Sequence, residues 1–321
     1  MSTTTERRGR RARDERASPS ANDTAERASP SATDDAERDH VRTITVRGLQ
    51  VRVSARPGQG RLVSSPPLLL CNGIGSSLEV LQPLVDALDP DRGVIRFDVP
   101  GVGGSPAPPF PYLLATLAPW VTAMATRLGH REIDVLGLSW GGGLAQQLAV
   151  QCRRRVRRLV LVATGTGSLM VPAHPRVLAT MVTPRRHRDP AYAERVAADI
   201  YGGSMRSHPE RGARLLHAAT RAGPRRGYYL QLAAAAGWSS LPFLRMVRQP
   251  TLLLAGDDDP MVPVVNARLM ARLIPRARLH VYHGGHLGVL TESAELAPLI
   301  ERFLSDPEPT TRTHPCEVTW T

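Results

Sequence analysis

Gly137-Leu138-Ser139-Trp140-Gly141 is the stretch that decides how this chain is read. It follows an apolar run, Ile133 to Leu136, and precedes a small-residue helical stretch, Gly142-Gly143-Leu144-Ala145-Gln146-Gln147-Leu148-Ala149. Between a strand and a helix, G-x-S-x-G marks a nucleophile elbow. The serine occupies a strained turn, and the residues two before and two after it lack side chains so that strand and helix can approach. The turn lifts the hydroxyl out of the sheet and sets the N–H of Trp140 beside it as an oxyanion donor. The competing reading, a Gly-rich loop with a bystander serine, is weakened by the strand before and the helix after.

A serine is a poor nucleophile at neutral pH and needs a base, and the base needs a carboxylate to hold its tautomer. In this arrangement the chain order is Ser, acid, His. Thr251 to Ala255 reads as a strand running into Gly256-Asp257-Asp258-Asp259-Pro260, and Leu279 to Tyr282 as a strand running into His283-Gly284-Gly285-His286-Leu287. Loops at the carboxyl ends of parallel strands face one crevice, so the three loops converge. Asp259 is far enough past its strand to turn toward the histidine and is the expected acid, with Asp258 as the alternative. The unused carboxylates are expected to cap a turn. His286, at the end of the Gly-Gly loop, is the expected base in preference to His283, which follows its strand directly. The second oxyanion donor is expected in Asn72-Gly73-Ile74-Gly75, at the N–H of Ile74, the alternative being an ordinary turn. The glycines of Phe97-Asp-Val-Pro-Gly-Val-Gly-Gly-Ser105 lack the G-x-G-x-x-G spacing and are interrupted by Pro100. They predict a structural turn beside that loop, with no dinucleotide site. No H-E-x-x-H or C-x-x-C occurs, and the expectation is an enzyme with neither metal nor cofactor.

Short apolar strands alternate with helices of ten or more residues along the chain. An antiparallel hairpin is expected over Val41 to Arg56. Strands follow at Leu68–Cys71, Gly93–Asp98, Ile133–Leu136, Leu159–Ala163, Thr251–Ala255 and Leu279–Tyr282, with helices near Leu78–Leu88 and Leu113–Leu128. That pattern predicts a mostly parallel sheet covered on both faces. Residues 165–248 break the alternation and contain no strand-like run. They predict a helical cap inserted after strand 6, between core segments 41–164 and 249–305. Leu169, Met170, Val171, Met181, Tyr228, Tyr229, Leu230 and Trp238 either line a pocket there or form the cap's own core, and core is the expected role for each. Residues 1–40 carry two copies of an 11-residue repeat, Arg16–Glu26 and Arg27–Glu37, without apolar content. They are expected to be a disordered tail, and 306–321 a flexible one.

All 41 basic residues are arginine, which excludes Schiff-base lysine chemistry, a Walker lysine and a Ser-Lys dyad. The net charge is +12, and residues 1–40 contribute −1 of it, so the body is basic. Aromatics at 4% supply no base-stacking platform, and nucleic acid is not an expected partner. The densest cluster, Arg153 to Arg158, is expected to be a solvated helix end, with an anionic surface contact as the minority reading. No apolar run of 18 residues is present, so no transmembrane segment is expected, and no apolar stretch follows the N-terminal arginines, so no secretion signal is expected either. Cys71, Cys152 and Cys316 form no framework, which fits a reducing cytoplasm, and Cys71 is expected in the core.

These residues carry a resemblance. The core is similar to an α/β-hydrolase, and more narrowly resembles the intracellular medium-chain-length poly(3-hydroxyalkanoate) depolymerases of bacteria. The shared stretches are Cys71–Gly75, Ala87–Pro90, Phe97–Ser105, Ser139–Gly142 with Ala145–Gln147, Met170–Pro172, Ile200–Gly203, Gly227–Tyr229, Gly237–Trp238, Leu254–Pro260 and Gly285–Leu287, spanning about 43–305. Departures are the long N-terminal tail and Gly288, where a bulkier residue is usual. The resemblance implies an α/β-hydrolase fold and a Ser139–His286–Asp259 triad that cleaves polymer ester bonds at a granule surface in the cytoplasm. The alternatives are a soluble carboxylesterase or lipase-like hydrolase, a cofactor-free haloperoxidase-type enzyme on the same triad, and a non-enzymatic granule protein that keeps the fold as a binding module.

Overall fold

A computed structural model describes residues 40–217 and 221–307. The tail repeat, Cys316 and the stretch from 308 onward lie outside the described residues. In chain order the elements of the first half are β1 (His40–Val46), β2 (Leu49–Arg56), β3 (Leu68–Cys71), α1 (Gln82–Ala87), β4 (Val94–Phe97), α2 (Leu114–Arg127), β5 (Ile133–Leu138), α3 (Trp140–Gln151) and β6 (Val156–Val162). The insertion holds α4 (Pro175–Met181), α5 (Pro190–Tyr201), α6 (Pro209–His217) and α7 (Arg225–Ala236). The core resumes with β7 (Thr251–Gly256), α8 (Val265–Leu273), β8 (Ala277–Tyr282), α9 (Gly288–Thr291) and α10 (Ser293–Ser305).

These strands form one sheet in the order β1-β2-β4-β3-β5-β6-β7-β8, antiparallel from β1 to β4 and parallel from there to β8. Every residue of β3, β5 and β7 is buried, as a parallel strand covered on both faces requires. The two-residue period divides each strand between two cores. Leu69, Cys71, Val135, Leu159, Leu161 and Leu253 pack with Leu117, Val121, Leu144 and Leu148 of α2 and α3. Leu68, Leu70, Leu136, Val160, Val162 and Leu252 pack with Leu84 of α1 and with Ile300 and Phe303 of α10. The mostly parallel sheet with helices on both faces, and the helical insertion after the sixth strand, are as the sequence predicts.

Some local expectations change. β5 runs two residues further, to Leu138, and β6 starts at Val156. The first helix is a 3-10 turn, Leu78–Leu81, followed by the short α1. The arginine cluster is a solvated helix end only at Arg153 and Arg154. Arg157 makes a forked pair with the buried Asp134 of β5 (2.9 and 2.5 Å). Arg158 is buried and donates to the carbonyls of Leu304 and Asp306, and Arg155 ties the α2–β5 connection through the carbonyls of Arg131 and His130. Within the insertion, Tyr228 and Leu230 are core residues, but Leu169, Val171 and Tyr229 are exposed, against the expectation for those three.

Local signals start the insertion helices. Pro175 and Pro190 stand in first turns where a missing N–H is harmless, and Asp189 caps α5 by accepting the Tyr192 N–H at 3.0 Å. Behind these helices Arg186 is buried and donates to the Tyr228 hydroxyl (2.9 Å), which donates to the Met181 carbonyl (2.6 Å). The neighbouring His187 is 6% exposed, and neither ring nitrogen finds a partner among the described residues. Burial, then the charges of Arg186, His217 and Arg188, push its imidazole well below the ordinary range. The unfolded chain takes up a proton near pH ~6.5 and the folded chain does not, so acidification favours unfolding. One such group makes stability fall by up to about 1.4 kcal/mol per pH unit below that point. Urea midpoints measured from pH 7 to 5.5 are therefore expected to drop for the wild type and to drop less for His187→Phe. Equal slopes would remove His187 from the account.

Candidate active site

β5 ends at Leu138 and α3 begins at Trp140, leaving Ser139 alone between them at φ 54°, ψ −117°. The turn closes because its flanks are bare. A Cβ on Gly137 would lie 2.5 Å from the Gly141 carbonyl oxygen, and a Cβ on Gly141 would lie 2.1 Å from the carbonyl oxygen of Cys71. The serine backbone is pinned on both sides. Its N–H donates to the Val162 carbonyl (2.9 Å), and its C=O accepts from the Thr164 hydroxyl (2.7 Å) and the Gly142 N–H (2.9 Å). The side chain is half-buried, at the end of the sheet where β3, β5, β7 and β8 also finish.

The three aspartates after β7 have separate partners. Asp259 is 7% exposed and His286 4%, and Asp259 Oδ2 lies 2.8 Å from His286 Nδ1. A carboxylate only accepts, so Nδ1 carries the proton, and Nε2 makes no hydrogen bond to a protein group among the described residues. The other carboxylate oxygen, Oδ1, accepts the N–H groups of Met261 (2.8 Å) and Val262 (2.9 Å), which fixes the carboxylate's rotation. Asp258 instead faces Arg206 (2.6 and 2.7 Å) and accepts the Gly203 N–H (2.7 Å). The Arg206 guanidinium holds its carboxyl below the usual range. Asp257 pairs with the exposed His283 (3.0 Å) and accepts the Gly284 N–H. The hydrogen bond to Asp257 raises the His283 imidazole. The structure thus brings Asp259 and His286 together in a buried pair and leaves Asp258 and His283 outside it.

The insertion supplies contacts that sequence reasoning did not identify. The Tyr201 carbonyl, at the end of α5, accepts the His286 N–H at 2.7 Å, and the Tyr201 ring stacks on the imidazole with centroids 6.4 Å apart and planes at 21°. Gly202 (φ 61°) and Gly203 (φ 51°) follow at once; a Cβ there would lie 2.0 Å from the Asp258 carbonyl oxygen and 2.2 Å from the Gly285 nitrogen. The Tyr-Gly-Gly run is the one trace in the sequence of this close packing.

Ile74 lies in the loop after β3, buried, as is Trp140. The Asn72 side chain shapes this loop by accepting the Gly73 N–H (2.9 Å) and donating to the Ser77 carbonyl (2.6 Å). A Cβ on Gly73 would come within 3.8 Å of Ser139 Cβ, so the loop passes directly beside the serine. Among the described residues, neither the backbone N–H of Ile74 nor that of Trp140 has a protein acceptor. The Phe97–Ser105 stretch is the bracing turn that was expected. Its buried Asp98 accepts the N–H groups of Leu78 and Gly104 (both 2.7 Å) and pairs with Arg52 (3.1 Å).

Comparison with known proteins bears on the fold that carries these residues. The family model for the alpha/beta hydrolase fold matches residues 66–293. A poly(3-hydroxyalkanoate) depolymerase of Ectopseudomonas oleovorans is 45% identical over 275 residues, covering 85% of this chain and 95% of the relative. A solved hydrolase from Pseudomonas aeruginosa PA01 superposes with TM-score 0.68 at 26% identity, over 83% of this chain and 98% of that one. The enol-lactonase from Burkholderia xenovorans LB400 superposes with TM-score 0.71 at 23% identity, over 83% of this chain and 100% of its own, a likeness of fold. With the elbow, the sheet order and these matches in agreement, the chain belongs to the alpha/beta hydrolase family.

Proposed function

We propose that this chain is a serine ester hydrolase that cleaves poly(3-hydroxyalkanoate) polyester, with medium-length side chains preferred. The observation that carries the substrate class is the 45% identity to a poly(3-hydroxyalkanoate) depolymerase over 275 residues, a span too long to exclude the insertion between β6 and β7. The insertion is where substrate selection is expected, because it packs against the loops of the site.

Ser139 Oγ attacks the ester carbonyl carbon while His286 Nε2 takes its proton. Asp259 holds the Nδ1–H and stabilises the imidazolium. The oxyanion accepts the backbone N–H groups of Ile74 and Trp140, two donors without a protein acceptor among the described residues. Collapse breaks the ester C–O bond, and His286 returns the proton to the departing 3-hydroxyl oxygen. Water, deprotonated by His286, then attacks the acyl-enzyme and releases the hydroxy acid or oligomer. The exposed arginines suit docking on the anionic coat of a cytoplasmic polyester granule. Binding to coated granules should weaken as salt screens the contact, and binding indifferent to high salt would exclude this docking.

Two outcomes test the enzyme reading. Asp259→Asn is expected to lower kcat on p-nitrophenyl octanoate by about 10³–10⁴-fold, while Asp258→Asn stays within a few-fold of wild type. The reverse order would make Asp258 the acid. Purified protein should clear a poly(3-hydroxyoctanoate) suspension and Ser139→Ala should not. Ser139-dependent turnover of the soluble ester without clearing would reassign the chain to small esters.

A further inference from the structure

Gln231 lies on α7, in the insertion, 156 residues beyond the oxyanion loop, and is buried. Its side-chain Oε1 accepts the Gly75 N–H at 2.7 Å. Its backbone carbonyl accepts the Trp140 indole N–H at 2.9 Å. A single residue of the insertion therefore grips both segments that carry the candidate oxyanion donors. The backbone donor at Gly75 fixes which end of the amide faces it, since only the carbonyl oxygen can accept.

The consequence follows from peptide planarity. The Gly75 N–H and the Ile74 C=O share one rigid plane, and the Ile74 N–H shares the preceding plane with the Gly73 C=O. That preceding plane is tied within the loop, where the Gly73 carbonyl accepts the Ser76 N–H at 3.2 Å. The following plane is tied by Gln231. Gly75 sits at φ 72°, and glycine on each side of Ile74 adds little stiffness of its own, so the second plane depends on the Gln231 contact. The Tyr228 ring closes over the same point, since a Cβ on Gly75 would lie 2.8 Å from Tyr228 Cδ2. Gly227 brings α7 against the Phe97–Ser105 turn, where a Cβ would lie 1.7 Å from the Gly101 carbonyl oxygen.

We propose that Gln231 is a positioning residue for the oxyanion hole: seated on the core, α7 uses it to lock the Ile74–Gly75 peptide and the Trp140 side chain in the geometry that stabilises the tetrahedral intermediate. The inference rests on the serine-esterase reading. It makes oxyanion-hole order depend on the seating of the insertion. Loss of the acceptor leaves the half-buried Gly75 N–H unpaired and frees the peptide to turn, which withdraws stabilisation in the transition state while leaving substrate binding in place.

The test uses the full chain and p-nitrophenyl octanoate, comparing Gln231→Met, which keeps length without an acceptor, with Gln231→Glu, which keeps the acceptor oxygen. Gln231→Met is expected to lose about 10–100-fold in kcat with KM within a few-fold, and to weaken inhibition by an alkylboronic acid in parallel. Gln231→Glu is expected to recover most of the rate. Full kcat in Gln231→Met, or a loss carried by KM alone, would overturn the proposal. If Gln231→Met fails to fold by circular dichroism, Gln231→Asn, too short to reach Gly75, takes its place against Gln231→Glu, and equal rates for those two would overturn it. Wild-type turnover that disappears in Ser139→Ala reports separately on the esterase reading.

Discussion

The backbone of Ser139 is the constraint on which the rest of the structure depends. A non-glycine residue at φ 54°, ψ −117° costs about 1–3 kcal/mol and persists only where its surroundings over-determine it. Here β5 is buried along its whole length and pinned by β3 and β6, α3 starts one residue later, and the Val162 and Thr164 contacts hold the serine's own amide and carbonyl. The glycines at 137 and 141 are consequences of that geometry, because a side chain at either would strike backbone. Once the serine is held there, the other chemical groups need only come from loops at the same end of the sheet. The parallel order β3-β5-β6-β7-β8 delivers them.

The site is assembled from two parts of the chain. The core contributes the serine, the Asp259–His286 pair and the Ile74 loop. The insertion contributes the carbonyl of Tyr201 to the His286 backbone, Arg206 to Asp258, and Gln231 to the Ile74 loop. These three contacts fall on the loops of the candidate base, the candidate acid and the candidate oxyanion donor in turn. The insertion therefore braces the three loops that carry His286, Asp259 and Ile74.

The fold and the candidate site residues are legible because each leaves a one-dimensional trace. Buried parallel strands read as unbroken apolar runs, the elbow requires small residues at fixed offsets, and Asp259 and His286 follow strands at distances that let them reach back. What escaped reading depends on partners far away in sequence or on atoms every residue has. Arg157 and Arg158 looked like a solvated helix end because Asp134 and the Leu304 carbonyl, which engage them, are at separations of 23 and 146 residues. Their charge also hid the start of β6. The Tyr201 carbonyl has no signature of its own. Leu169, Val171 and Tyr229 looked like core because an apolar residue carries no mark of which way its helix or loop will face.

The central claim, that Ser139 is the nucleophile of an acyl-enzyme, is tested most directly by rapid acid quench of the protein with a 3-hydroxyoctanoate oligomer, followed by peptide mass mapping. The account predicts a 3-hydroxyacyl adduct on the peptide containing Ser139, accumulating during turnover and absent in His286→Ala. Turnover with an adduct on another residue, or hydrolysis that continues undiminished in Ser139→Ala, would contradict it.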